Sequence, residues 1–235
     1  MNHPLFSGQI LTLPRAVVQH LHALRLHAGA SITLFNGQGG EYAAQITQLN
    51  KRAAQVAIER FTAPSRESAL RLSLVQALSA ADRMDYTIQK ATELGVTSLH
   101  PIRSAYCAAR LPQAREAKRL AHWQAVAIAA AEQSGRTLIP SISALQNLAD
   151  YLALPHGEAL KLILSPNGTH RLQQLPDNID NIHVLIGPEG GFSAAEEQQA
   201  LAQGYLPLII GPRLLRTETV APVIAALLQA RYGDI

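Results

Sequence analysis

The sequence predicts an α/β protein with a mainly parallel sheet, preceded by a small β-rich module. Three observations predict it. Short strand-like runs separated by turn residues fill the N-terminal part of the chain. From Leu70 onward, strand-like runs alternate with helical ones, the rhythm of a sheet covered by helices. Several of the later runs, "LKLILS", "IHVLIG" and "YLPLIIG", are apolar almost without a break, as strands buried on both faces must be.

The module opens with "PRAVVQHLHALRL". Val17, Leu21 and Leu24 share one helical face there, Pro14 is tolerated at the first turn, and Gly29 stands just beyond the end. "SITLF", "EYAAQIT" and "AAQVAIERF" read as strands, the first two joined by the turn "NGQGG". "TAPSRES", residues 62–68, is polar and carries a proline, which makes it the linker and sets domain boundaries of 1–68 and 69–235.

In the second domain "LRLSLVQAL" is the first strand. "SAADRMDYTIQKATELG" follows as a helix, with Ser79 and Asp82 at capping-box spacing and Gly95 as its stop. "SLHPI" is a short strand and "QAREAKRLAHWQAVAIAAAEQ" a long helix. Each of the three apolar runs is expected to lead into a helical stretch. Ser193 and Glu196 form a second capping box, at the start of "SAAEEQQALAQ".

Composition narrows the class. A formal net charge of +3 permits a polyanionic partner without requiring one. Cys107 is the single cysteine, so no internal disulfide forms, and a reducing compartment is expected. The N-terminus lacks a basic segment followed by an apolar one, and "VAPVIAALLQA" is too short to span a bilayer. A cytoplasmic protein with no membrane partner is the expectation.

Chemistry concentrates at two corners. "LIGPEGGFS" and "LIIGPRLLRTET" each run an apolar strand into Gly-Pro and then into charged and hydroxyl residues. In open α/β sheets ligands lie beyond the carboxyl ends of strands, where such loops leave for helices. Gly187, Gly190 and Gly191 let a ligand approach bare backbone, Pro188 stiffens the turn, and Gly211 with Pro212 repeats the device. "SPNG", residues 165–168, is a third wall. One such corner is ordinary turn chemistry; two, flanked by Glu189, Arg213, Arg216, Thr217 and Glu218, favour a flat heterocycle held by amide groups. The chain has no P-loop and no dinucleotide fingerprint. Its nine histidines show no metal-ligand spacing, so no metal is expected.

"LIGPEGGFSAAEE" followed by "IGPRLLRTETVAPVIAALL" resembles the RsmE-type 16S ribosomal RNA methyltransferases of the SPOUT superfamily. "TIQKATELGV", "AEQSGR" and "LRLHAGASITLFNGQGGEYAAQI" agree, so the likeness covers essentially the whole chain. It implies a PUA-like β-barrel for RNA and an α/β domain with a deep trefoil knot. It also implies methylation of uridine N3 in 16S ribosomal RNA of the small subunit, with S-adenosylmethionine as cofactor, and a homodimer. One departure stands out: where the family commonly has Ser-Glu-Arg-Cys, this chain reads Ser104-Ala105-Tyr106-Cys107.

On that reading Arg216 stabilises the uridine anion, with Glu218 holding it or accepting the proton through water. Cofactor contacts are expected at Leu164, Gly187, Pro188, Glu189, Gly190, Ile210, Gly211, Leu214, Leu215 and Thr219. For Glu189 the alternative is a salt bridge to a local arginine; for Thr217 and Thr219 it is capping of the last helix. RNA contacts are expected at Arg15, Arg25 and Arg52 in a module with more basic than acidic residues, and at Arg213. A second basic run, Arg110, Arg115, Lys118 and Arg119, is explained equally by a solvated helix face. Two competing readings remain: methylation of a 2′-hydroxyl or another base, and a non-catalytic RNA-binding protein with a relic pocket.

Overall fold

The structure, a computed structural model, describes residues 4–64, 66–107 and 111–235. Arg110 of the second basic run lies outside the described residues. The chain divides into two compact units, Met1–Glu67 and Ser68–Ile235.

The first unit comprises β1 (Ile10–Thr12), α1 (Arg15–Ala23), β2 (Ser31–Leu34), β3 (Glu41–Leu49) and β4 (Ala54–Thr62). Its strands form an antiparallel sheet in the order β1-β4-β3-β2. Val18 and Leu21 of α1 pack with Leu34, Ile46, Val56 and Ile58 in one core. Of the expected stripe, Leu21 lies in this core and Val17 packs against it, while Leu24 does not. The helix ends at Ala23, and Arg25 turns into the left-handed region at φ 54°, which leaves Leu24 56% exposed.

The second unit runs β5 (Arg71–Ala77), α2 (Ala81–Glu93), β6 (Ser98–Arg103), α3 (Gln113–Ser134), β7 (Ser141–Ile142), β8 (Gln146–Asn147), α4 (Leu148–Leu152), β9 (Leu160–Leu164), β10 (Asn181–Ile186), α5 (Ala194–Ala202), β11 (Leu206–Leu208) and α6 (Thr217–Tyr232). The sheet order is β11-β9-β10-β5-β6-β7, with β8 also beside β6, and every pairing is parallel. This is the α/β class with a mainly parallel sheet after a small antiparallel β domain. Pro101 in β6 has no N–H to give, and the neighbouring ladder is accordingly split between β7 and β8. Pro207 sits in the edge strand β11, where a missing donor costs least.

Cores fill both faces. Leu70, Leu72 and Leu74 face Met84, Ile88, Trp123 and Ile224, while Val75 and Ala77 face Tyr151, Phe192 and Tyr205. Each buried Leu or Ile contributes about 1.5–3 kcal/mol, so continuous apolar runs are what a two-faced sheet demands.

Two local expectations change. α2 starts one residue later than expected, with Ala80 at its N-cap and no side-chain cap, so Ser79 and Asp82 form no capping box. β9 leads into a loop with a single 3-10 turn, Leu172–Gln174, and not into an α-helix. That loop runs alongside β11, with His170 and Leu208 in a parallel bridge. Ser165 N–H donates to Leu208 O (3.1 Å), His170 N–H to Pro207 O (3.0 Å), and Ile209 N–H to His170 O (2.9 Å).

Candidate functional site

β10 and β11 end on the same side of the sheet, because all strands are parallel and β9 alone separates them. The first corner, Gly187–Gly191, follows β10. Its turn closes with Gly191 N–H donating to Pro188 O at 2.9 Å, and Gly191 takes φ 72°, a region only glycine enters without strain. The Ser193–Glu196 capping box forms as the sequence predicts and starts α5 immediately after. Its carboxylate also reaches out: Glu196 Oε1 accepts from Ala105 N–H at 2.7 Å, pinning the Ser104–Cys107 segment beside the corner. Tyr106 packs there so tightly that a Cβ on Gly190 would lie 2.9 Å from the Tyr106 Cβ. Arg103, the next basic residue upstream, is engaged in an ion pair with Glu116.

The second corner, Gly211–Pro212, leaves β11 and reaches α6. Thr217 joins the corners. Its Oγ1 donates to Gly187 O (2.9 Å) and accepts from Gln76 Nε2 (3.1 Å), which also donates to Ala77 O (3.0 Å). Gln76 and Thr217 are both buried, so this relay is dry and its hydrogen bonds are costly to break. Gln76 lies opposite Ile186 in the β5–β10 ladder, which puts its side chain at the base of the first corner.

Between the corners opens a cavity of about 520 Å³. Of the expected cofactor residues it is lined by Leu164, Gly187, Pro188, Glu189, Ile210, Gly211, Leu214 and Leu215. Ser165 and Pro166 form the third wall. Gly190 and Thr219 are not in the lining. Gly190 lies under Tyr106, and Thr219 is exposed on the first turn of α6, its N–H donating to Arg216 O at 2.8 Å.

Arg216 and Arg213 line the cavity, and Arg216 is the N-cap residue of α6. Glu218 does not line it, and no Arg216–Glu218 ion pair occurs among the described residues. The nearest cation to Glu218 is Arg83, whose Nε stands 3.8 Å from Oε2; Arg83 Nη1 donates to Glu189 Oε1 at 2.5 Å. The alternative for Glu189, a salt bridge to a local arginine, is therefore realised. These partners raise the Arg83 pKa above its usual value, the Glu189 hydrogen bond first and the Glu218 charge second.

Sequence reasoning missed Arg83, Gln76 and the bridging role of Thr217. Arg83 had a faint signal, a cation in the first turns of a helix that follows a central strand, whereas Gln76 inside a strand gave none.

In the first unit Arg15, Arg25 and Arg52 are exposed. Arg66 is held by Glu41 at 2.8 Å. On α3, Arg115 and Lys118 are exposed and Arg119 half-buried. No helix among the described residues is long and apolar enough to cross a membrane.

With this geometry in hand, comparison with known proteins is direct. Residues 66–229 match the family described as RNA methyltransferase domain, and residues 13–59 the family described as RNA methyltransferase PUA domain. Ribosomal RNA small subunit methyltransferase E of Rickettsia conorii is 30% identical over 220 residues, 90% of this chain and 86% of that protein. The protein of the same name from Buchnera aphidicola (Schizaphis graminum) is 29% identical over 229 residues, 97% of this chain and 93% of its own. Among solved structures, ribosomal RNA small subunit methyltransferase E from Neisseria gonorrhoeae, bound to S-adenosyl methionine, superposes with TM-score 0.94. It is 38% identical, with 100% of this chain and 97% of that one covered. A methyltransferase from Legionella pneumophila in complex with the same cofactor gives TM-score 0.95 at 36% identity, over 99% and 96% of the two chains. The chain belongs to the family of ribosomal RNA small subunit methyltransferase E.

Proposed function

We propose that this protein methylates N3 of a uridine in 16S ribosomal RNA of the small subunit, using S-adenosylmethionine. The observation that carries the proposal is the single cavity shared by both Gly-Pro corners. Relatives with this fold bind S-adenosyl methionine and are named for small-subunit ribosomal RNA. The cavity fits the cofactor chemically. Leu164, Ile186, Ile210 and Leu215 supply apolar walls for a flat ring, and the glycine-rich bends bring backbone amides within reach of its edge.

When bound, the cofactor supplies an electrophilic methyl group on a sulfonium. The rest falls to the protein. Uridine N3 carries a proton at neutral pH and attacks poorly until that proton leaves. Holding the base in line removes several kcal/mol of entropic barrier, of the order of 7 for well-oriented groups. Arg216, at the cavity wall, stabilises the negative charge that develops on the base. Glu218, two residues on in the first turn of α6, is the proposed proton acceptor through water. Arg213 and the exposed Arg15, Arg25 and Arg52 grip phosphates, so RNA binding weakens steeply with salt. The half-exposed apolar face of α6, with Val223 and Leu227, is the proposed contact in a homodimer, and the cytoplasm the proposed location.

Mass mapping of nucleosides from small-subunit RNA treated with protein and labelled cofactor tests the proposal. Label on uridine N3 is expected; label on a 2′-hydroxyl or another base overturns the position, and no transfer together with no cofactor binding overturns the activity. Arg216→Ala is expected to keep cofactor affinity and lose at least about a hundredfold in rate.

A further inference from the structure

Arg83 comes from neither bend, and it is the single α2 residue in the cavity lining. It touches a carboxylate belonging to each bend. Glu189 is part of the first corner; Glu218 lies in the first turn of α6, directly after the second. The Arg83–Glu189 contact is a charge-assisted hydrogen bond at 2.5 Å, whereas 3.8 Å to Glu218 Oε2 is an ion pair without a hydrogen bond. Glu218 Oε2 is buried and has no hydrogen-bond partner among the described residues, so the Arg83 charge is the compensation it has there.

We propose that Arg83 is a positioning residue for methyl transfer. From a third element it holds Glu189 and Glu218 together and thereby fixes the two walls of the cofactor cavity at one separation. The inference rests on the methyltransferase reading above. Glu189, in the cavity lining, and Glu218, outside it, stand 2.5 and 3.8 Å from Arg83; two such carboxylates repel each other unless a cation stands between them, and a guanidinium suits that place. Its planar fork presents N–H donors in two directions at once, which the point charge of a lysine ammonium does not. The Thr217–Gly187 hydrogen bond ties the bends at the cavity floor through the backbone. Arg83 ties them at a second place through charge.

The test is calorimetric titration of S-adenosylmethionine into wild type, R83Q, R83K, E189Q and the double variant R83Q/E189Q, each checked by thermal melting. R83Q is expected to weaken cofactor binding about tenfold and R83K to recover part of it. The double variant is expected to lose about tenfold and not a hundredfold, because both changes remove one contact. Wild-type affinity in R83Q overturns the inference, as does a double variant whose losses multiply. A lowered binding stoichiometry at unchanged affinity also overturns it, since that is the mark of a merely misfolded fraction. Absence of any binding heat in the wild type sinks the methyltransferase reading itself; a wild type that binds alongside an unaffected R83Q sinks this inference alone.

Discussion

Replacing Gly168 by alanine is the sharpest perturbation of the contact between the loop after β9 and β11. A Cβ there would stand 2.6 Å from the Leu208 carbonyl carbon, 2.7 Å from Ile209 N and 2.9 Å from Leu208 O. All three are backbone atoms, so no rotamer change relieves the clash. Gly168 is not among the positive-φ glycines, so the cost is one of space and not of backbone conformation. To make room, the loop and β11 must part by several tenths of an ångström. That strains the hydrogen bonds Ser165 N–H to Leu208 O, His170 N–H to Pro207 O and Ile209 N–H to His170 O. Overpacking costs about 1–3 kcal/mol, and weakening hydrogen bonds worth about 1 kcal/mol each adds to it. A loss of about 2–5 kcal/mol in unfolding free energy is expected, read as a lower urea midpoint at unchanged slope. Ser165, Pro166 and Leu208–Gly211 line the cavity, so cofactor affinity should fall about tenfold or more as well. A variant within about 0.5 kcal/mol of wild type, with unaltered affinity, would refute the reasoning.

Three further outcomes follow from the same geometry. Thr217→Val keeps shape but leaves Gly187 O without its donor and Gln76 Nε2 with Ala77 O alone; it should cost about 1–3 kcal/mol of stability and weaken cofactor binding, with Thr217→Ser restoring both in urea and calorimetric titrations. Arg136 is 5% exposed and donates to Thr92 O (2.8 Å) and Val96 O (2.9 Å) at the end of α2, so Arg136→Met should destabilise by about 2–4 kcal/mol in urea unfolding, and a neutral result would contradict the assigned role. His100 and His183 are held down at about 4, first by burial and then by neighbouring imidazoles, so the unfolded chain takes up their protons before the folded one does. Stability should therefore be full above pH ~6.5 and be lost as the pH falls towards ~4, at up to about 1.4 kcal/mol per pH unit for each ring, roughly halved for partial exposure; unfolding curves that do not move between pH 7 and 5 would exclude it.

The strands of the sheet were legible because burial on both faces leaves a nearly continuous apolar run, and β9 and β10 carry one, interrupted inside the strand only by Lys161 and His183. Helix starts were legible only where the cap is a side chain. Ser193 and Glu196 announce α5, whereas α2 begins at Ala80 with no side-chain cap, and Ser79 mimics a signal it does not deliver. The run "YLPLIIG" reads as one strand, yet β11 stops at Leu208, because Ile209 turns its N–H to His170 O in the loop after β9 and Ile210 goes to the cavity wall. An apolar residue lining a ligand cavity and one buried in a sheet look alike in sequence. The helix expected after β9 failed for a related reason: its place is taken by a loop that is hydrogen-bonded in part to chain some forty residues later, His170 N–H to Pro207 O and Ile209 N–H to His170 O.

The site divides along the same line. Residues that act through the backbone announce themselves, since Gly187, Gly191 and Gly211 are required wherever the chain bends tightly or a ligand meets bare amides. Residues that act through a side chain crossing from another element do not. Gln76 reads as an interruption in an apolar strand, and Arg83 as one charge on a solvated helix face. Both acquire meaning only when β5 is laid beside β10 and α2 follows it to the same edge. The same holds for Tyr106. In sequence it is merely a departure from a family pattern. In the fold its Cβ lies against Gly190, 2.9 Å from where a Cβ at that position would stand. The atom that meets it is the Cβ, which every residue but glycine carries, so position 190 is held to glycine by the close approach of the 104–107 segment and not by the tyrosine ring.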